Sequence, residues 1–308
     1  MTVIFIRGSD TQLGQRLVQA CASHPHVRLV VMEQNLPPTS SGEHMAELMR
    51  QEQVDVVINL ASAGEEAPAQ NRDQAFQANV LHSSDLLGAC ARAGVKRIVL
   101  RSSTLVYGSH LKHAAFLDEE TRFARSARSP LISDYVEQEQ IAAEFARTHP
   151  DQAVIILRCA SLVAPDWPSP LVRYFAQPRP CMLFGFNPRI QVLHPDDAVA
   201  AYLLAAEADV SGAFNLAAND PLTLLQAIRL AGRQPQMFLE PVVMLARRVI
   251  PREQVLGYWP FAMDLLRYSC VADIRKAQAQ LNWQPAYAAR AIVEELNTAP
   301  AVIQRSRV

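Results

Sequence analysis

Thr2-Val-Ile-Phe-Ile-Arg-Gly8-Ser-Asp-Thr-Gln-Leu-Gly14 opens the chain with a short apolar run, a glycine-bounded turn and the start of a helix. Thr2–Ile6 is β-rich without polar alternation, the pattern of a strand covered on both faces. Leu13, Leu17, Val18 and Cys21 then recur at helical spacing. A strand that turns sharply into a helix leaves free N–H groups and the positive end of the helix dipole at the turn, which suits an anion. Gly8 permits the tight turn and Gly14 a close helix–sheet approach. Thr11 stands between them, where its side chain narrows the space for phosphate. With Gln12 and Leu13 these residues form a candidate phosphate-binding turn.

The rhythm continues outward. Val27–Met32 reads as a second strand, Glu43–Gln51 as a helix and Asp55–Ala61 as a third strand. Asn71–Ala93 is a long amphipathic helix closed by Gly94, followed by a strand at Lys96–Leu100, a helix at Pro130–Thr148 and a strand at Ala153–Leu157. Strands separated by helices predict an α/β fold, a Rossmann-like doubly wound parallel sheet. Residues 1–160 are expected to form the nucleotide-binding part. Residues 161–298, punctuated by prolines, are expected to add late sheet strands and a smaller, mainly helical substrate-binding cap. Residues 299–308 are expected to be a flexible tail. Glu33, about 20 residues past the glycine turn, is placed to accept from ribose hydroxyls, and its charge repels a 2′-phosphate. That favours NAD, with NADP less suited.

Composition limits the function classes. The 308 residues are half apolar and carry a formal net charge of −1, so no basic surface recommends a nucleic-acid partner. No apolar run reaches the ~18 residues of a membrane span. Five cysteines without C-x-x-C spacing read as reduced thiols, and the expectation is a cytoplasmic protein. His110 and His113 have helical spacing but no third ligand pattern, so no metal is expected. Met237–Ile250 is apolar with Arg247, Arg248 and Arg252 beside it. It suits a packed cap helix or a dimer contact, and less readily a membrane surface or a greasy substrate.

Taken in order, Gly8 to Gly14, Asp55-Val-Val-Ile-Asn-Leu-Ala61, Asn79-Val80, Ala93-Gly-Val-Lys-Arg-Ile-Val-Leu-Arg-Ser-Ser-Thr-Leu-Val-Tyr-Gly108 and Tyr135 resemble the extended short-chain dehydrogenases/reductases. The closer resemblance is to their NAD-dependent epimerase/dehydratase branch. Leu157-Arg158, Val192 to Asp197, Gly212-Ala-Phe-Asn215 and Leu281 to Pro285 extend it over nearly the whole chain. The resemblance implies that Leu60, Ala61, Ser62 and Asn79 line the cofactor cleft and active-site floor. It implies that Ser103 hydrogen-bonds the reacting oxygen and that Tyr135 is the general acid/base. It also makes a homodimer plausible.

One departure lies at the centre of that chemistry. Glu139 stands four residues after Tyr135, where the family carries the lysine that binds the nicotinamide ribose and lowers the tyrosine pKa. Residues four apart share a helix face, so an ionised Glu139 would act against a phenolate. An unperturbed tyrosine titrates near 10, and shifting it close to 7 takes roughly 4 kcal/mol of preferential stabilisation. Glu139 turned to solvent or protonated, Lys112 reaching in, or reduction with a neutral phenol as proton donor would each relieve the conflict. Only Lys96, Lys112 and Lys276 are available as lysines. Ile190 and Gln191 stand where sugar-nucleotide members commonly carry a diphosphate-gripping arginine, with Arg189 offset.

The expected function is therefore an NAD(P)-binding oxidoreductase or epimerase acting on a hydroxy or keto small molecule or a lipid-like compound, with Glu139 in the catalytic group. Two other readings stay open. One is a catalytically silent dinucleotide-binding sensor or assembly protein; the other is a non-redox enzyme that uses the same cleft.

Overall fold

The computed structural model describes residues 1–31, 41–62, 71–124, 130–249 and 263–298. Six strands form one parallel sheet: β1 (Thr2–Arg7), β2 (Val27–Val31), β3 (Val56–Asn59), β4 (Arg97–Ser103), β5 (Ala153–Cys159) and β6 (Gly212–Leu216). Their spatial order is β6-β5-β4-β3-β1-β2. Strands β2 and β3 lie on opposite sides of β1, so the chain reverses its winding there. The carboxyl edge between β1 and β3 is thus a topological switch point, where doubly wound folds bind ligands.

Alternation along the strands builds two core layers. Ile4, Ile6, Ile58, Val99 and Leu157 share one cluster with Leu13 and Leu17 of α1 (Gln12–Ala22). Val3, Phe5, Val57, Ile98 and Leu100 face the other layer, with Met45 and Met49 of α2 (Ser41–Gln51). Helices therefore cover both faces, which is why these strands read as continuous apolar runs. Strand β4 extends beyond the predicted Leu100 because Ser102 and Ser103 pair with Arg158 and Cys159 of β5. This pairing carries Ser103 to the sheet's carboxyl edge.

The long helix predicted from Asn71 is interrupted. Asn71 caps α3 (Arg72–Phe76), a π-helical turn spans Gln77–Leu81, and α4 (His82–Ala93) follows and closes on Gly94 in the left-handed region. A π turn accommodates one extra residue per loop and redirects the side chains after it. Here it carries the buried Asn79, which turns toward α5 (Pro130–Thr148).

The region past residue 160 contributes β6 and joins the larger core cluster rather than forming a core of its own. Trp167, Tyr174, Trp283 and Ile292 belong to the same cluster as Ile4 and Leu157. His194 caps α6 (Pro195–Glu207) by accepting from Asp196 N. Asp197 then accepts from Ala286 N at 2.8 Å, and its backbone carbonyl accepts from Trp283 Nε1 at 3.0 Å. Glu33, Arg252 and the tail 299–308 lie outside the described residues. No helix among the described residues is long and apolar enough to cross a membrane.

Candidate cofactor cleft and active site

The glycine turn packs directly on the carboxyl end of β3. Gly8 has φ +84°, and a Cβ added there would fall 2.5 Å from Ala61 N; one on Gly14 would fall 2.1 Å from Gly8 O. Both positions thus require glycine, for backbone contact between β1, α1 and β3. Thr11 folds its side chain back into the turn. Its hydroxyl donates to Gly8 O at 2.7 Å and accepts from Gly14 N at 3.0 Å, capping α1. Gln12 and Leu13 follow in the first turn of α1, at the positive end of its dipole. A cradle too tight for a Cβ, at a helix N-terminus and a sheet switch point, fits the pyrophosphate of a dinucleotide.

Asn59 holds the other wall. Its Oδ1 accepts from Arg7 Nη1 at 3.2 Å and Ala61 N at 3.3 Å, and its Nδ2 donates to Ser83 Oγ at 3.0 Å. The backbone of Leu60, Ala61 and Ser62 is thereby fixed against the turn. Burial draws the Arg7 guanidinium pKa down from its ordinary range to about 10.

Tyr135 is buried on α5, and its Oη lies 2.7 Å from Ser62 Oγ. Ser62 thus meets the tyrosine hydroxyl, one residue beyond the Ala61 backbone that packs on Gly8. Ser103 Oγ accepts from Leu105 N at 3.2 Å, capping a short 3-10 turn over Thr104–Tyr107. The preceding residue on α5, Asp134, is 1% exposed and accepts from Arg72 Nη1 at 2.8 Å and Asn79 Nδ2 at 2.9 Å. That cluster ties α3 and the π turn to the start of α5. Tyr107 is also buried; its hydroxyl donates to Asn215 Oδ1 at 2.7 Å, and burial raises its pKa. It belongs to a buried cluster with Tyr135 and Leu117.

Glu139 corrects the sequence-based picture of an unmatched anion. It is 4% exposed, so it is not turned to solvent, and Arg158 of β5 grips it from Nη2 at 2.7 Å and from Nε at 3.0 Å. Ser102 Oγ also donates to the carboxylate. Arg158 Nη1 meanwhile donates to Tyr107 Oη at 2.7 Å and Glu119 O at 3.0 Å. The carboxylate's charge is therefore matched on the sheet side of α5. The three lysines lie elsewhere: Lys96 pairs with Asp55 at 3.7 Å, Lys276 sits over the Phe214 ring at 4.8 Å and Lys112 is exposed.

A model of the NAD dependent epimerase/dehydratase family matches residues 4–217. The chain belongs to this family. An uncharacterized protein of Mycobacterium tuberculosis (strain ATCC 25618 / H37Rv) is 29% identical over 318 residues, covering 92% of this chain and 80% of the relative. A short-chain dehydrogenase/reductase family 42E member 1 of Xenopus laevis is 26% identical over 181 residues, covering 54% of this chain and 45% of that protein. Among solved structures, the chain resembles a dTDP-glucose 4,6-dehydratase from Bacillus anthracis in complex with NAD, with TM-score 0.71 and 17% identity over 97% of this chain and 96% of that one. It also resembles a UDP-glucose 4-epimerase from Thermotoga maritima with UDP-glucose, with TM-score 0.70 and 18% identity over 97% and 98% of the two chains. At these identities the structural matches establish the shared Rossmann-like α/β fold.

Sequence reasoning did not single out Asp134, Arg72 or the pairing of Arg158 with Glu139. A signal existed for the last: an arginine follows the apolar run of β5 as its penultimate residue, and an arginine that is buried calls for an anion.

Proposed function

We propose that the chain is an NAD-binding oxidoreductase that acts on a hydroxy or keto compound, a small molecule or a lipid-like one. The observation that carries this reading is the 2.7 Å contact of Tyr135 Oη with Ser62 Oγ, one residue beyond the Ala61 backbone that packs on Gly8. It joins a proton-carrying phenol to the wall of the glycine cradle. Bound NAD supplies the hydride acceptor or donor for the substrate carbon. Tyr135 exchanges the proton of the substrate oxygen, with Ser62 and Ser103 orienting that oxygen. Glu33, an acid about 20 residues past the glycine turn in the sequence, supports NAD over NADP through its negative charge.

Reduction is the favoured direction. A neutral phenol can donate its proton without prior ionisation, whereas oxidation would call for the phenolate, which an anion at Glu139 on the same helix face disfavours. Glu139 acts here as a structural anion for Arg158 rather than as the acid or base of a non-redox reaction.

The deciding experiment is a titration with NAD(H) and NADP(H), followed by thermal shift and nicotinamide fluorescence. Stabilisation by NAD(H) at millimolar concentration is expected; no response to either dinucleotide removes the reading. A second reading, a dinucleotide-binding sensor without turnover, rests on the engagement of Glu139 by Arg158 in the place of the family lysine. Dinucleotide binding that is indifferent to every ketone and alcohol offered, with Tyr135→Phe behaving as the parent, selects that second reading.

A further inference from the structure

A cavity opens beside the Ser103–Leu105 turn, between the sheet edge and the region past residue 160. It opens to solvent, and about 580 Å³ of space free of protein atoms, open solvent included, lies within it and at its mouth. Thr104 and Leu105 form one wall; Leu171, Ile190, Leu224 and Leu266 form much of the rest. Cys270, which also lines the cavity, belongs to the buried cluster that contains Tyr135 and Tyr107. The cavity and the cluster around the proposed proton donor thus share Cys270.

Two polar residues of the wall, Gln191 and Arg189, are engaged with protein. Gln191 donates from Nε2 to Ala272 O at 3.1 Å and accepts from Ala272 N at 2.7 Å, so its amide is used as a backbone partner. Among the described lining residues Arg189 is the one cation, and its Nη2 donates to Ala115 O at 2.7 Å while its guanidinium lies over the Phe116 ring at 5.3 Å. A phosphate or carboxylate entering this cavity would lose water against walls that are mostly apolar among the described residues, a large penalty for an anion. An aliphatic ring or branched chain would instead gain by displacing water from leucine and isoleucine surfaces.

We infer that this cavity binds the apolar body of an uncharged secondary alcohol or ketone, alicyclic or branched, and not a nucleoside diphosphate sugar. The inference rests on the oxidoreductase reading for the chemistry at the oxygen, but the cavity's preference can be measured without turnover.

The test uses the full chain, with and without saturating NAD, and decalone as a bicyclic ketone probe against UDP-glucose, both read by calorimetry. Decalone is expected to bind and UDP-glucose not to displace it. Ile190→Arg places a charge in the wall, and Leu105→Trp fills the space from a half-buried position if the charged variant does not fold. Either folded variant is expected to weaken decalone by about tenfold or more, equivalent to about 1.4 kcal/mol, while its affinity for NAD stays unchanged. Displacement of decalone by UDP-glucose, absence of decalone binding to a chain that binds NAD, or equal decalone affinity in a folded variant would overturn the inference. Decalone binding by a chain that ignores dinucleotides leaves the cavity assignment standing and removes only the redox reading.

Discussion

Arg158 forks onto Glu139 across the gap between strand β5 and helix α5, with both side chains at 5% exposure or less. The same guanidinium lies over the rings of Tyr107 and Phe123, at 5.1 Å from each centroid. Arg158 Nη1 bonds Tyr107 Oη, which in turn bonds Asn215 of β6. One charge pair thus links α5, β5 and β6 behind the proposed active site. Glu139 is part of that framework, so its presence in the lysine position changes which partner α5 is anchored to.

The first prediction concerns Glu139→Lys, the substitution that would recreate the family's tyrosine–lysine spacing. In this protein it places a second cation against buried Arg158. Removing one partner of a buried pair costs about 3–5 kcal/mol, so loss of stability is expected in urea unfolding, with no gain of turnover. Glu139→Gln and Arg158→Gln together should cost less than the sum of the single changes. An additive double-mutant cycle would show that the pair is not coupled.

Thr11 separates capping from ligand access. Thr11→Ala removes the cap of α1 and is expected to cost about 1 kcal/mol, whereas Thr11→Gly should cost only a few tenths. The glycine variant also clears the side chain from the turn and releases Gly14 N. It is expected to bind NAD more tightly than the parent by direct fluorescence titration; weaker binding would mean that Thr11 contributes to the site.

Tyr135→Phe is expected to lower turnover by about 10²- to 10⁴-fold, the range of acid/base contributions, with NAD affinity preserved. Ser62→Ala should reduce it by about fivefold to tenfold, the scale of one hydrogen bond. Turnover equal to the parent in the phenylalanine variant would exclude Tyr135 as the proton donor.

Most of the sheet was legible because its strands centre on short apolar runs bounded by turns, and the glycine cradle because Gly8 and Gly14 sit where only glycine fits. The helix face was read less completely. Spacing of four places Glu139 beside Tyr135 along α5, but a helix surface is broad, and a long side chain goes to its strongest partner. That partner lies 19 positions away on a strand, so only the packing of α5 onto β5 reveals it. The Asp134 cluster was hidden for a similar reason: the π turn at Gln77–Leu81 aims Asn79, and nothing in a 3.6-residue repeat announces the extra residue. Ser62 stood among the cofactor residues, and its contact with Tyr135 needed the third dimension.

The thiols give a pH dependence whose sign can be worked out. Burial raises Cys21 to about 11, Cys90 to about 12 and Cys270 to about 12, against an ordinary thiol near 8.5 in the unfolded chain. Raised folded values mean that the unfolded state loses protons first as pH rises. The stability contribution is therefore complete below about pH 8.5 and declines from there toward pH 11 to 12. Each thiol contributes a slope of up to about 1.4 kcal/mol per pH unit within that window. Below pH 10 the buried phenols of Tyr107 and Tyr174, also raised by burial, stay protonated in the fold and leave the thiols as the main alkaline signal. Urea midpoints should thus fall steadily between pH 8.5 and 10, and Cys90→Ala should flatten that fall even though it creates a small cavity and lowers stability at pH 7. A parallel decline in parent and variant would assign the alkaline loss to other groups. Alkylation by iodoacetamide at pH 8 should likewise wait for unfolding, since a thiol near 11 is ionised in only about one molecule in a thousand there.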